Sequence, residues 1–157
     1  FSKVEFTSEE YLEELKKTTG SLIGVDPGTK TLGIASSDIT RLIATPFTTI
    51  KRTKFSLDAE KLFSIYDQYK ASAIIMGLPI NMNGSYGPRS QSVKDFCSNL
   101  IRVRNIPIFL WDERLSTLAV KRGMIDADLS REKQKKNVDK LAAAYILQGL
   151  LDRLRAN

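Results

Sequence analysis

Apolar positions fall into short runs along the chain, and the spacing within each run sets the element it predicts. SLIGVD (21–26) and TLGIASSD (31–38) are short apolar stretches joined by PGTK, and RLIATPFTTIK (41–51) follows the polar corner at Asp38. Together they predict an antiparallel three-strand meander. In FSLDAEKLFSIYDQYK, Phe55, Ala59, Leu62, Phe63 and Tyr66 share one side at helical spacing. ASAIIMGLP is a continuous apolar run of the kind that forms a strand buried on both faces. A polar loop, NMNGSYG, leads to Pro88 and a helix through about Arg104, and IPIFLWDE is a second buried strand. The rest reads as a helix, a basic segment and a long final helix whose apolar face holds Val138, Leu141, Ala142, Tyr145 and Ile146. At the front, TSEEYLEELKKT has a Thr/Ser cap, early glutamates and late lysines, the charge order an isolated helix prefers.

The expected fold is therefore α/β, a mixed five-stranded sheet (a three-strand antiparallel meander plus two parallel strands) flanked by helices. Residues 1–19 are expected to form an accessory N-terminal helix and residues 20–157 a single domain. A length of 157 residues with 42% hydrophobic content supports one real core.

Charge narrows the partners. The net charge is +6, yet the first 17 residues hold five Glu against three Lys, so the other 140 carry +8. That balance favours a polyanion. The lone Cys97 excludes an internal disulfide and a Cys-rich zinc site, fits a cytoplasmic, reducing compartment, and reads as core filler in SVKDFCSNLIRV. No apolar run approaches the length of a membrane span, and the first twenty residues are too acidic for a signal or transit peptide, so no membrane partner is expected.

The chain contains no histidine. Imidazole ligands, imidazole bases and Ser-His-Asp triads are thereby excluded, and hydrolytic chemistry would fall to acids, hydroxyls, lysines or a bound cation. Asp26, Glu113 and Asp139 stand far apart in sequence, and three such acids suggest a metal-dependent nuclease, their oxygen-only donors favouring Mg²⁺ or Mn²⁺. Asp26 ends an apolar run and either emerges at the carboxyl end of a strand or caps a turn before Pro27 and Gly28. Asp112 and Glu113 adjoin, so strand alternation sends them to opposite faces and only one reaches a common site. Asp139 is expected to open the final helix, in a row with Ala143, Ile146 and Leu150, either as a dipole-stabilised acid or as a ligand on the buried edge. Ala142 to Ala144 would let that helix approach the sheet closely.

Four motifs, GVDPGTKTLGIASSD, MGLPINMNGSYGPRS, LWDERLST and VDKLAAAYILQG, stand in an order and spacing that resembles the YqgF family, also called RuvX or Holliday junction resolvase-like, over residues 20 to 154 or so. The resemblance implies a ribonuclease H-like fold, metal-dependent nuclease activity and a role in 5′-end processing of precursor 16S ribosomal RNA. It implies that Asp26, Glu113 and Asp139 are the catalytic and metal-binding residues, with one or two Mg²⁺ or Mn²⁺ ions, and its DER motif favours Glu113 over Asp112. The distant RuvC resolvases carry a further carboxylate on the preceding strand, where AIIMGLP has none.

Candidate contacts to nucleic acid surround these acids. Arg131, Lys133, Lys135, Lys136 and Lys140 form a basic run that reads either as a solvated helix face or as a phosphate-contacting segment. Lys30, Arg89 and Arg114 join them, with Arg52 and Lys54 as a smaller cluster, while Gly28, Gly33 and Gly84 allow tight backbone turns. Asn81, Asn83 and Ser85 either cap their own loop or help bind phosphate at the following helix. The expected partner is precursor ribosomal RNA, with branched DNA as alternative. Rival readings are a Holliday junction resolvase-like DNA endonuclease, a non-catalytic nucleic-acid-binding module in transcription or ribosome assembly, and an actin-like phosphotransferase suggested by DPGTKTLG, for which the chain is too short.

Overall fold

The computed structural model describes residues 4–6, 9–81, 83–115 and 131–156, with the side chains of 4–6, 9, 10, 115 and 131–138 outside the description. The strands are β1 (Val4–Phe6), β2 (Leu22–Pro27), β3 (Thr31–Ser37), β4 (Ala44–Lys51), β5 (Ala73–Leu78) and β6 (Ile108–Asp112). The helices are α1 (Glu9–Lys16), α2 (Phe55–Gln68), α3 (Pro88–Val103) and α4 (Arg131–Arg155), with a 3₁₀ turn at Glu113–Leu115. They form one sheet in the order β1-β6-β5-β2-β3-β4. The meander β2-β3-β4 is antiparallel, and β5 and β6 join it in parallel, as the apolar runs predict.

The segment before residue 20 adds a sixth strand as well as a helix. β1 pairs in parallel with β6, Val4 opposite Ile108. Three residues are too few to show a period of two, so VEF carries no legible strand signal. Leu12 and Leu15 of α1 are buried, and Tyr11 meets Phe109 edge to face at 5.7 Å.

Strand alternation divides the core between the two faces. Ile23, Val25, Ile74, Met76, Ile108 and Leu110 point to the side covered by α2 and α3. Leu22, Ala35, Ile75, Phe109 and Trp111 point to the side covered by α1 and α4, where they meet Ala142, Ala143, Ile146, Leu147 and Leu150. Cys97 is core filler in the first cluster, its thiol pushed up to about 12 by burial. Helix α4 begins at Arg131, so Asp139 lies two turns inside it rather than at its start; the polar stretch REKQKKN, without an apolar stripe, hides those turns from a periodicity reading. The helix expected between LWDERLST and the basic segment falls in 116–130, outside the described residues.

The β3–β4 corner is organised by Asp38. Its Oδ1 accepts the backbone N–H groups of Leu42 and Ile43, each at 2.9 Å, and Oδ2 accepts the Thr40 hydroxyl. Arg41, at φ 60, reaches across to the carbonyls of Leu15 and Gly20 and to the Thr18 hydroxyl, tying the end of α1 to this corner. The Ile43 N–H and the Thr40 hydroxyl lead the interactions that lower the Asp38 carboxyl to about 2. A folded pKa below the unfolded value contributes stability present above the unfolded pKa and lost as pH falls through the folded one. Asp38→Ala is thus expected to lower the urea midpoint at neutral pH, and its deficit relative to wild type should fade between pH about 4 and about 2. A deficit that persists unchanged at the acid end would show that the carboxylate is not what holds the corner.

Candidate active site

β2 lies in mid-sheet, with the chain leaving it towards β3 on one side and later forming β5 on the other. The carboxyl end of such a strand opens onto the crevice where connections diverge. Asp26 occupies that end, only 5% exposed, within the strand and paired with Gly33. Its parity with Leu22 and Gly24 turns it to the α4 face. Beyond it, the N–H of Gly28 donates to the carbonyls of Asp26 (3.1 Å) and Thr31 (2.9 Å), reversing the chain into β3.

Two glycines flank Asp26 on the neighbouring strands. Gly33 lies so close beneath α4 that an added methyl would sit 1.9 Å from the Asp139 carbonyl oxygen. Gly77 follows Met76, the partner of Val25, and so comes level with Asp26 on β5. A methyl there would lie 2.9 Å from Glu113 Oε1 and 2.5 Å from Ile146 Cδ1, so the Glu113 carboxylate extends over β5. Asp139 is half-buried, and its Oδ2 accepts the Thr31 hydroxyl.

The three acids thus meet one edge and one face of the sheet: Asp26 central, Glu113 above its β5 neighbour and Asp139 above its β3 neighbour. Among the described residues no three acidic side chains are gathered tightly enough to cage a cation as they stand. Position β5 offers at this level is Gly77, without a carboxylate.

Asp112 takes the opposite parity, in line with Leu110, and forms a two-pronged ion pair with Arg114, Nη2 to Oδ2 at 2.7 Å and Nε to Oδ1 at 3.1 Å. Burial alone would raise the Asp112 carboxyl, but the hydrogen bonds from Arg114 outweigh it and the net shift is downwards. The pair is local, two positions apart in the sequence, so Arg114, a candidate nucleic-acid contact, is engaged with Asp112.

Lys30 is exposed in the β2–β3 turn, and Lys140 is half-buried beside Asp139. Arg89 donates Nη2 to the Pro27 carbonyl at 2.6 Å. The side chains of Arg131, Lys133, Lys135 and Lys136 lie outside the described residues. Asn81, Asn83 and Ser85 hydrogen-bond one another, a loop tied to itself, with Gly84 turning at φ +87. Trp111 is buried against Gly149, as core.

Thr31 and Gly77 are the residues that sequence reasoning missed. A glycine inside a buried apolar run signals close approach by another group, and MGLP carried that signal unread. Thr31 carried none, because its link to Asp139 spans 108 positions.

The two glycines should respond differently to alanine. At Gly33 the obstacle is backbone, so Gly33→Ala is expected to cost more than about 3 kcal/mol in urea unfolding. At Gly77 the obstacles are ends of side chains, and Gly77→Ala should cost about 1–3 kcal/mol. Wild-type stability for Gly33→Ala would show that α4 does not seat on β3 there.

A family model described as "RuvX: Holliday junction resolvase" matches residues 20–153. A protein of Paramagnetospirillum magneticum named "Putative pre-16S rRNA nuclease" is 56% identical over 131 residues, covering 83% of this chain and 84% of its own. One of the same name from Cereibacter sphaeroides is 51% identical over 146 residues, covering 93% and 91%. Among solved structures, T. thermophilus RuvC in complex with Holliday junction substrate superposes with a TM-score of 0.56 at 10% identity, over 87% of this chain and 96% of that one. T. thermophilus RuvC on its own gives 0.51 at 12% identity, over 87% and 95%. These two likenesses are of fold.

Proposed function

The chain belongs to the RuvX family of Holliday junction resolvases, and from that membership we propose that it is a nuclease hydrolysing phosphodiester bonds at the edge where Asp26, Glu113 and Asp139 meet. The placement on one face of three acids, from strand β2, from the 3₁₀ turn after β6 and from helix α4, is the observation that carries this reading. Its substrate is precursor 16S ribosomal RNA, a reading supported by the name shared among relatives about half identical to it, and 5′-end processing in the cytoplasm is the step we assign to it. A four-way DNA junction is the second substrate, supported by the family description. No described helix is long and apolar enough to cross a membrane.

Bringing three carboxylates together is opposed by like charge, and a divalent cation would relieve the repulsion. The donors fit Mg²⁺ or Mn²⁺, since all three are carboxylates with hard oxygens. Asp26, Glu113 and Asp139 would hold one or two such ions, which supply Lewis-acid stabilisation of the phosphodiester. The protein's own part is positional. The strand fixes Asp26, the Thr31 hydroxyl orients Asp139, and the glycine on β5 lets Glu113 cross towards β2.

Asp26→Asn is expected to lower cleavage by about a hundredfold or more while nucleic-acid binding survives, because a ligand is lost but few phosphate contacts are. The assay compares precursor ribosomal RNA, single-stranded RNA and a four-way junction with Mg²⁺ or Mn²⁺, and chelation with EDTA should abolish cutting. Full activity of Asp26→Asn would overturn the site, and wild type that binds without cutting under any metal would indicate a non-catalytic binding module.

The basic run of α4 is proposed to grip the backbone without reading bases. Lys135→Ala with Lys136→Ala should weaken binding equally for different sequences. The log affinity against log salt plot should become shallower by about 0.7 per lost contact to a single strand. An unchanged slope with intact affinity would make the run a solvated helix face.

A further inference from the structure

The carboxyl edge of the sheet carries a second feature. A cleft of about 390 Å³ opens beside the β2–β3 turn, lined by Thr29, Arg52, Thr53, Asp58, Arg89 and Ser92. Its two guanidinium groups are fixed from behind. Arg52 donates Nη1 to the Gly28 carbonyl at 2.7 Å and lies 4.9 Å from the centroid of the Phe96 ring. Arg89 donates Nη2 to the Pro27 carbonyl at 2.6 Å. A guanidinium carries five N–H donors in a rigid fork, and among the described residues these bonds use one from each.

The acid in the lining is already engaged: Asp58 is 2% exposed, and its Oδ1 accepts the Thr53 backbone N–H at 3.1 Å and the Thr53 hydroxyl at 3.4 Å. The Thr29 and Ser92 side chains are exposed at the mouth, with Lys30 and Lys54 exposed nearby. Positive charge, forked donors and hydroxyls in one concave place match a phosphate group.

We propose that this cleft binds a backbone phosphate of the nucleic acid other than the one being cut. The inference rests on the nuclease reading, and it names a second point of grip for the same strand. The carbonyls that anchor both arginines belong to the two residues after Asp26, and two residues of chain span at most about 7 Å. The cleft lies on the α2–α3 side of this turn and the acids on the α4 side, so a strand crossing the carboxyl edge of the sheet would meet the acids with one phosphate and the arginines with another. Contacts of this kind set register and carry no base sequence.

Ser92 allows a test that leaves both arginines and their anchors in place, since it is exposed on α3. Binding of a fluorescent single-stranded RNA oligonucleotide to the full chain is followed by anisotropy in EDTA, so that hydrolysis does not intervene. Ser92→Glu places a carboxylate at the mouth, and it should bind at least about tenfold more weakly than the equally sized Ser92→Gln, with a log–log salt slope shallower by about 0.7. Arg89→Ala should show the same loss of slope. Equal affinities for the Glu and Gln variants would overturn the proposal. So would inorganic phosphate that binds wild type and not Ser92→Glu yet leaves bound RNA in place, which would mark the cleft as a site for free phosphate. Wild type that cuts RNA while its binding ignores Ser92→Glu removes the cleft and leaves the nuclease reading; wild type that neither binds nor cuts any nucleic acid removes both.

Discussion

Helix α4 can lie where it does only because the strands beneath it lack side chains at the points of contact. Its residues 139, 143 and 147 are successive steps of four along one helical row, and they descend onto Gly33 and Gly24. An added methyl at Gly24 would lie 2.9 Å from the Ala143 carbonyl oxygen and 2.8 Å from Leu147 Cβ. Ala142, Ala143 and Ala144 keep the facing surface equally thin. This close seating places the Asp139 backbone over the partner of Asp26, and without it that acid would stand a side chain's length further from the sheet.

The same face has an electrostatic constraint. Asp26 is nearly buried, with Glu113 over the neighbouring strand on one side and Asp139 over the neighbouring strand on the other, so negative charge collects on one face. The surroundings answer the charge at different ranges. Thr31 donates to Asp139, while Asp112, whose charge would add to the repulsion, faces away and is neutralised by Arg114. Arg52 and Arg89 sit behind the β2–β3 turn, where they stiffen the loop that follows Asp26. Carboxylates concentrated on one face, with cations at its margin, suit a polyanion drawn to the rim and a cation drawn to the centre.

The buried strands and α2 were legible because their periods are long and clean: Ala59, Leu62, Phe63 and Tyr66 line the core as their spacing requires. That Asp112 and Glu113 face opposite ways was legible for the same reason, since parity along IFLWD is set once Leu110 faces α3 and Trp111 faces α4, whereas the preference for Glu113 came from the DER motif. The start of α4 was not, because its first turns are polar and helix pattern reading depends on an apolar stripe. Nor was β1, which forms by pairing with β6, more than a hundred positions away.

The order of the five central strands with α2 and α3, and the two-sided burial of β5 and β6, follow from sequence alone, since each depends on neighbours within a few residues, and the acids stand out through the motifs that carry them. The meeting of those acids does not. Glu113 crosses towards β2 because Gly77, on another strand, has no side chain, and Asp139 is oriented by a hydroxyl 108 positions earlier. Likewise, Arg52 and Arg89 are separate candidate contacts in the sequence, and they become one cleft because both reach carbonyls of the same turn. Local physics writes the pieces; the spacing between groups on different strands and helices exists only after the layers have closed on each other.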